Sequence, residues 1–318
     1  MTPGTASAKT SRLPVKQLLL VLGVVATLYA LALLVWSDRP TLSMSILWSW
    51  TGLQAAGLCL LNYLLRGMRW RFWMAHYGRH FGWLEGLRLY LAGYAFTPTP
   101  GNVGEAVRGL MLARQPLGTA QSLAIFGAER LADLFCLLLL CLPAAAWALN
   151  RGGLQATASL LFWLAAGGVF LLIVLAGLFV AYRTALLQRL SRLTWLHEAW
   201  RCLAVRPLLW FALTLLAWSA QGLAVWLLCR DMGVHLPVLT ASGFYALAMV
   251  AGALSALPAG LGGMEAVLTG LMVLHGASAT QALALTIVVR LLTLWLAVAI
   301  GVAALLYSAA IRKDIRFS

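Results

Sequence analysis

The sequence predicts an all-α polytopic membrane protein with about six transmembrane helices and two re-entrant helical hairpins in an inverted repeat. First, the chain is 62% hydrophobic and only 10% charged, more apolar surface than a soluble domain of 318 residues can bury. Second, apolar runs of roughly 20 residues, the length that crosses a bilayer, recur along it. Third, two apolar segments are interrupted by turn residues and are related to each other in sequence.

The relation between the two segments is an internal repeat. Residues 98–131 align with residues 258–291 without a gap, with nine identities in 34 positions. Matches of scarce residue types carry the argument: Pro98 with Pro258, Glu105 with Glu265, Gln121 with Gln281, and Arg130 with Arg290. We therefore expect one membrane domain, 1–318, built from a first repeat at 15–150 and a second, inverted repeat at 155–307.

Six apolar segments are long enough to span. They lie at about 18–36, 46–65, 121–149, 157–182, 207–229 and 281–307.

Two further segments, at about 86–115 and 240–275, are too interrupted to span as single helices. The first contains Thr-Pro-Thr-Pro-Gly-Asn at 97–102 and the second Pro-Ala-Gly-Leu-Gly-Gly at 258–263. Pro and clustered Gly disfavour a helix interior. Non-helical backbone at membrane depth persists only where protein buries it or water reaches it. We therefore expect both segments to enter and leave the membrane on one side.

The basic residues orient this layout. With the N-terminus in the cytoplasm, sixteen Lys and Arg fall in cytoplasmic segments and three, Arg39, Arg151 and Arg230, in outer loops. This bias follows the positive-inside rule and predicts cytoplasmic N- and C-termini. It also explains the net charge of +14 without nucleic acid as a partner. Each half then has three spans and a hairpin, so the second half is inverted and the hairpin tips meet near the midplane.

Ionisable residues inside the apolar segments are few, and such residues often mark function. Our candidate substrate-binding side chains are Glu105, Arg108, Glu129, Arg130, Asp133, Glu265 and Arg290. On a helix Glu129, Arg130 and Asp133 share one face with net charge −1. Two carboxylates on adjacent turns repel, so one of them could hold a proton. A structural ion-pair network is the equally weighted alternative.

Arginine matches phosphate geometry, so Arg130 and Arg290 are the best candidates for lipid phosphate; the alternative is pairing with the nearby carboxylates. Glu105 and Glu265 each follow a break, where helix capping is the simpler explanation. Free amides at the turns would suit an anionic headgroup, which adds five candidates: Gly101, Asn102, Gly260, Gly262 and Gly263.

Other chemistry has little support in the sequence. The five cysteines form no C-x-x-C pair and the histidines form no H-E-x-x-H motif. We predict no metal site, no cofactor and no enzymatic activity.

Three motifs together resemble a known family. They are Gly-Glu-Ala-Val-Arg at 104–108, Glu-Arg-Leu-Ala-Asp at 129–133 and Pro-Ala-Gly-Leu-Gly-Gly-Met-Glu at 258–265, followed by the late Arg290. The arrangement is similar to the transmembrane region of bacterial lysylphosphatidylglycerol synthases, which stand-alone flippase-like membrane proteins share. The resemblance covers roughly residues 15–307. Pro258-Ala259-Gly260 stands where the family usually has Pro-Gly-Gly.

The resemblance implies movement of a lipid between the leaflets of the bacterial inner membrane. In two-part members this region flips lysylated phosphatidylglycerol made by a separate synthase domain, which we do not expect in this chain. Stand-alone relatives are linked to phospholipids, hopanoids and glycolipids, so membrane lipids are the implied partners. The alternatives are a non-transporting scaffold for an envelope-lipid enzyme and, less favoured, a membrane-embedded lipid-modifying enzyme.

Overall fold

The computed structural model describes residues 45–99, 102–109, 116–151, 194–255 and 257–311, and their secondary structure is helical throughout. Among the described residues, four α-helices of ten or more residues precede residue 152: α1 (Trp50–His76), α2 (Trp83–Ala92), α3 (Thr119–Leu140) and α4 (Leu142–Arg151). Six follow residue 193: α5 (Thr194–Ala204), α6 (Pro207–Asp231), α7 (Val238–Leu254), α8 (Gly263–Leu274), α9 (Ala279–Arg290) and α10 (Leu296–Ala310). Two 3₁₀ helices (Gly93–Phe96, Val103–Gly109) and a π-helical segment (Leu291–Trp295) complete the described elements.

Three predicted spans are confirmed as helices long and apolar enough to cross a membrane. They are Thr119–Leu149, which contains α3 and α4, Pro207–Asp231, and Ala279–Ala310, which runs from α9 through the π segment to α10. The predicted spans at 18–36 and 157–182 lie outside the described residues.

Helix α1 is longer than the predicted span at 46–65, and this corrects our interpretation of the basic residues. Ser49 caps its start by accepting from the Gly52 amide at 3.1 Å, and the helix continues for 27 residues to His76. Arg66 and Arg69, which we had counted as cytoplasmic loop residues, are buried on this helix. The predicted count of cytoplasmic basic residues therefore falls from sixteen to fourteen.

The first interruption lies where the sequence predicts it. Helix α2 tightens into the 3₁₀ helix Gly93–Phe96, and the chain then turns at Thr97. The Thr99 hydroxyl donates to the Phe96 carbonyl and accepts from the Gly104 amide, both at 2.9 Å. A Cβ on Gly104 would lie 2.7 Å from the Phe96 carbonyl oxygen, so only glycine fits there. The second arm is the short 3₁₀ helix Val103–Gly109, where an α-helical arm was expected.

The second interruption separates α7 from α8 and uses left-handed backbone. Ala259, Gly260 and Gly262 have φ of 55°, 66° and 83°. Gly262 is the repeat partner of Asn102, which has φ 55°, so the two breaks share a left-handed residue at the matching position. Ala259 occupies a conformation that glycine adopts without a Cβ penalty.

The two sequence halves pack closely against each other in one core. Helix α6 lies between α1 and α7, while α10 packs on α2 and on Gly93–Phe96. A close backbone approach occurs at Gly301 of α10, where an added Cβ would overlap the backbone of Tyr94 and Ala95. The last helix is therefore seated directly on the first interruption.

We expect Gly301→Ala to destabilise the protein by about 1–3 kcal/mol, because the new methyl group has backbone rather than a flexible side chain in its way. Gly270→Ala on α8 is the matched control, because nothing lies within 4 Å of its added Cβ. That control should be neutral or stabilising by up to about 1 kcal/mol. Unfolding in detergent, followed by tryptophan fluorescence, measures both; equal values would contradict the close packing of α10 on the first break.

Candidate functional site

Most of the charged residues predicted for the site form one buried group, the first charge cluster. It comprises four arginines and three carboxylates: Arg66, Arg69, Glu105, Arg108, Glu129, Arg130 and Asp133. Six of the seven side chains are nearly fully buried, and Arg130 is 31% exposed.

Asp133 is held by the two arginines of α1. Its carboxylate accepts from Arg66 Nη2 and from Arg69 Nη1, both at 2.8 Å. Helix α6 closes this end of the cluster, since the Trp218 indole donates to Asp133 Oδ1 at 3.2 Å and Thr214 accepts from Arg69 at 2.7 Å. Asp133 therefore ties together α1, α3 and α6.

Glu105 is held by arginines on two elements. Its Oε2 accepts from Arg108 at 2.8 Å and from Arg130 at 3.1 Å, while its Oε1 accepts from the Thr97 hydroxyl at 2.9 Å. Arg108 also lies 3.4 Å from a Glu129 oxygen. Glu105 thus fastens the 3₁₀ arm both to the break and to helix α3.

Three tyrosines connect this cluster to the π-helical segment that precedes α10. The Arg108 guanidinium lies 4.4 Å from the Tyr90 ring centre, and the Tyr90 and Tyr94 hydroxyls are 3.0 Å apart. The Tyr94 ring is 5.2 Å from that of Tyr63, whose hydroxyl reaches the carbonyls of Leu292 and Thr293 at 3.1 Å. Those carbonyls lie in the π-helical segment, where the usual helical bonding shifts.

The cluster overturns one charge argument made from the sequence. Glu129, Arg130 and Asp133 alone carry −1, which suggested a shared proton. With Arg66, Arg69 and Arg108 included, four guanidinium groups face three carboxylates and the sum is +1. Each of the three carboxylates has at least one arginine partner.

Glu265 and Arg290 form a second, smaller charged group. Arg290 Nε donates to Glu265 Oε1 at 2.6 Å, and its Nη2 donates to the carbonyls of Ala259 and Gly260 at 3.1 Å. Arg290 therefore connects the backbone of the second break to Glu265 on α8, and we call this arginine the clip of the second break.

The two groups repeat the same ion pair. Glu105 and Arg130 are 25 residues apart, as are Glu265 and Arg290. The helix that carries each arginine also starts alike: Gln121 accepts from the Gly118 amide at 3.3 Å, and Gln281 from the Ser278 amide at 3.1 Å. The sequence repeat thus corresponds to a repeated set of contacts.

Several amides of the glycine-rich turns, among them those of Asn102 and Gly260, are not free, because they donate within their own turns. The amides of Gly104, Glu105, Gly260, Leu261 and Met264 all donate within their own turns. Gly262 begins α8 with left-handed backbone, and an added Cβ on Gly263 would lie 3.0 Å from that of Ser255. Their role seen here is to bend the chain, and Gly101 lies outside the described residues.

A small recess lies beside the first charge cluster. Its polar lining comes from Glu105, Arg108, Glu129 and Ser122, and Trp70 forms one wall. Ligand pockets for drug-sized molecules run from about 300 to 1,000 Å³, whereas this recess has a volume of about 10 Å³, which is room for about one water molecule. Within the described ranges no three potential metal-ligating side chains come together.

Sequence reasoning missed the contributions of α1 and α6 to the site. Arg66 and Arg69 had been counted among the cytoplasmic basic residues, and Thr214 and Trp218 were not singled out. A signal was present, because Asn62, Arg66 and Arg69 recur at helical spacing in continuation of an apolar run. Extending the helix past the first arginine would have placed all three on one face.

Comparison with known proteins identifies a family that this chain matches. Residues 17–301 match the model of the family described as "Lysylphosphatidylglycerol synthase TM region". A "UPF0104 membrane protein" of Methanothermobacter thermautotrophicus is 34% identical over 91 residues, which are 29% of this chain and 27% of that protein. The chain thus spans about a quarter of the length of this curated relative. Because the family match covers most of the sequence, the chain belongs to the lysylphosphatidylglycerol synthase transmembrane-region family.

Proposed function

We propose that this protein is a flippase that moves an anionic or modified lipid between the leaflets of the bacterial inner membrane. The observation that carries the proposal is the first charge cluster, a buried group of net charge +1 in which one side chain, Arg130, is partly exposed. Charges within apolar helices are expensive and usually mark a substrate path. The family's link to lipid handling supports the same conclusion.

The proposal includes an architecture. The two interrupted segments are re-entrant hairpins of inverted halves, with both termini cytoplasmic. Their breaks face each other near the midplane and open a polar route between the leaflets. The tyrosine bridge from Tyr90 to the π-helical segment supports this arrangement, because it already joins the first hairpin to the helix that carries Arg290.

In this mechanism the headgroup travels along the charged side chains while the acyl chains stay in lipid. The recess beside Glu105 and Arg108 is the closed form of the route, since its volume of about 10 Å³ is too small for a headgroup. Opening requires the 3₁₀ arm to separate from α3, which breaks the Glu105–Arg130 contact. The protein lowers the barrier by replacing water around the headgroup with fixed charges.

Translocation in liposomes tests the function. Purified protein is reconstituted with fluorescent phosphatidylglycerol, and dithionite reports the lipid that reaches the outer leaflet. We expect the wild type to exchange lipid at least about tenfold faster than Arg130→Gln/Glu105→Gln, which removes the pair but keeps the cluster at +1, because well-placed charges contribute this much to a barrier.

Arg201→Gln on α5 is the control, because this arginine is exposed and pairs only with Glu198 in the described part of the chain. It should match the wild type. A wild type no faster than protein-free liposomes would rule out the flippase, and full complementation in cells by the double variant would favour a scaffold. The double variant must melt as cooperatively as the wild type for this comparison.

A further inference from the structure

The charges of the two repeat-related groups do not balance in the same way. Glu265 and Arg290 sum to zero. The first charge cluster sums to +1, although six of its seven side chains are nearly fully buried. An unbalanced charge at membrane depth is strongly unfavourable unless an anion approaches it.

The other acidic residues that the structure describes lie outside the first charge cluster. The sequence has nine Asp and Glu, of which only Asp38 and Asp314 fall outside the described residues. Glu198 contacts Tyr77 and Arg201, and Asp231 accepts from Thr51. Glu85 lies in the first turn of α2. Among the described residues, no further carboxylate neutralises the first cluster.

The same cluster has hydrogen-bond donors to spare. Buried guanidinium nitrogens without an acceptor in the described ranges occur on all four arginines: Arg66 Nε, Arg69 Nε and Nη2, Arg108 Nε and Arg130 Nε. A phosphate group offers oxygens in the geometry that guanidinium prefers. The spare donors and the excess charge thus indicate the same class of ligand.

The second group has the opposite surplus. Arg290 is only 3% exposed and donates to Glu265 and to two carbonyls. The atom left over there is an acceptor, the buried Glu265 Oε2. The second group therefore has no excess positive charge and no unpaired buried donor among the described residues, so Arg130 and Arg290 have different roles.

We propose, resting on the flippase function above, that the first charge cluster is a receptor for one phosphate-bearing lipid headgroup. Arg130 is the binding residue: it releases Glu105 and takes the phosphate, while Glu105 keeps Arg108 and Thr97. Arg290 is a fixed clip that takes no ligand. The exposure of Arg130, 31% against 3% for Arg290, makes it the arginine that a headgroup can reach.

Binding in neutral maltoside micelles tests this assignment without translocation. The probes are phosphatidylglycerol, a glucosyl diacylglycerol with the same acyl chains, and inorganic phosphate, with bound lipid quantified by native mass spectrometry. Wild-type protein should prefer phosphatidylglycerol over the neutral glycolipid by at least about tenfold, because a hydrogen bond to a charged group contributes that much. Arg130→Gln should bring this preference close to one.

Arg130→Lys keeps the charge and loses the planar fork, so an intermediate preference is expected. Arg201→Gln should keep the wild-type preference. Arg130→Gln should melt no lower than the wild type, because it leaves the cluster neutral. An unchanged preference in Arg130→Gln would overturn the assignment, and so would equal wild-type binding of both lipids.

Inorganic phosphate distinguishes the source of the anion. If it binds as tightly as phosphatidylglycerol, the site reads a free anion and the lipid-headgroup proposal is wrong. Translocation of both lipids at equal rates would leave the flippase standing and overturn the phosphate receptor. Selective binding without translocation would do the reverse.

Discussion

Asp133→Asn is expected to destabilise the protein by about 3–5 kcal/mol, the typical effect of removing one partner of a buried ion pair. Asp133 accepts from both Arg66 and Arg69 at 2.8 Å, so the asparagine would leave two buried guanidinium groups undercompensated. The cluster would carry +2 instead of +1. Because Asp133 joins α1, α3 and α6, the loss should appear as global unfolding at a lower denaturant concentration.

The matched control is Asp231→Asn. Asp231 is exposed at the end of α6 and accepts from Thr51 at 3.1 Å, so we expect a change within about 0.5 kcal/mol. A second variant isolates the charge effect: adding Arg69→Met to Asp133→Asn removes one orphaned cation and should recover part of the loss. Equal losses for Asp133→Asn and Asp231→Asn would refute the buried cluster.

Glu265→Gln is the second variant with a large expected effect, again about 3–5 kcal/mol. Glutamine would leave Arg290 without its counter-ion beside the Ala259 and Gly260 carbonyls. Glu85→Gln on α2 is a close control, because Glu85 and Glu265 occupy the same third position of their helices. The contribution of each to the helix dipole, about 0.3–1 kcal/mol, is therefore shared.

A local measurement separates loosening of the second break from global unfolding. Leu261→Cys reports the turn, and maleimide labelling should speed up about tenfold for each 1.4 kcal/mol by which local opening becomes easier. The background is low, because all five native cysteines are buried and burial raises the pKa of the Cys202 thiol to about 11. If Glu265→Gln leaves the labelling rate of Leu261→Cys unchanged, Arg290 does not hold the second break closed.

The sequence was sufficient for the interruptions, and it offered pairing with nearby carboxylates as one of two interpretations of the key arginines. Pro98, Asn102, Pro258 and the glycines after it are unsuited to an α-helix interior, so the breaks follow from local backbone chemistry. Glu105 with Arg130 could be expected because scarce charges in an apolar segment must find each other. The repeat places Glu265 and Arg290 at the equivalent spacing, with lipid phosphate as the other predicted partner of the arginine.

The sequence was insufficient for the end of α1 and for the sign of the cluster. The apolar run that forms α1 stops at the first arginine in the sequence. The helix nevertheless continues through Arg66 and Arg69, because Asp133, more than sixty positions away, compensates their positive charges. The helical spacing of Asn62, Arg66 and Arg69 was a signal for the longer helix, but the partner of the two arginines is set by tertiary packing, which no local pattern encodes. The short 3₁₀ arm Val103–Gly109 is likewise a response to the closeness of Gly104 to Phe96.

The π-helical segment Leu291–Trp295 has a geometric consequence for the last span. Eleven residues separate Arg290 from Gly301, so a regular α-helix would point both toward the same side. The wider turns of the π segment rotate the later part by about a quarter turn. One continuous rod therefore presents its cation to α8 and its glycine to the first break. Deleting a single residue from 291–295 would realign the two directions, and one of the two contacts would have to be given up.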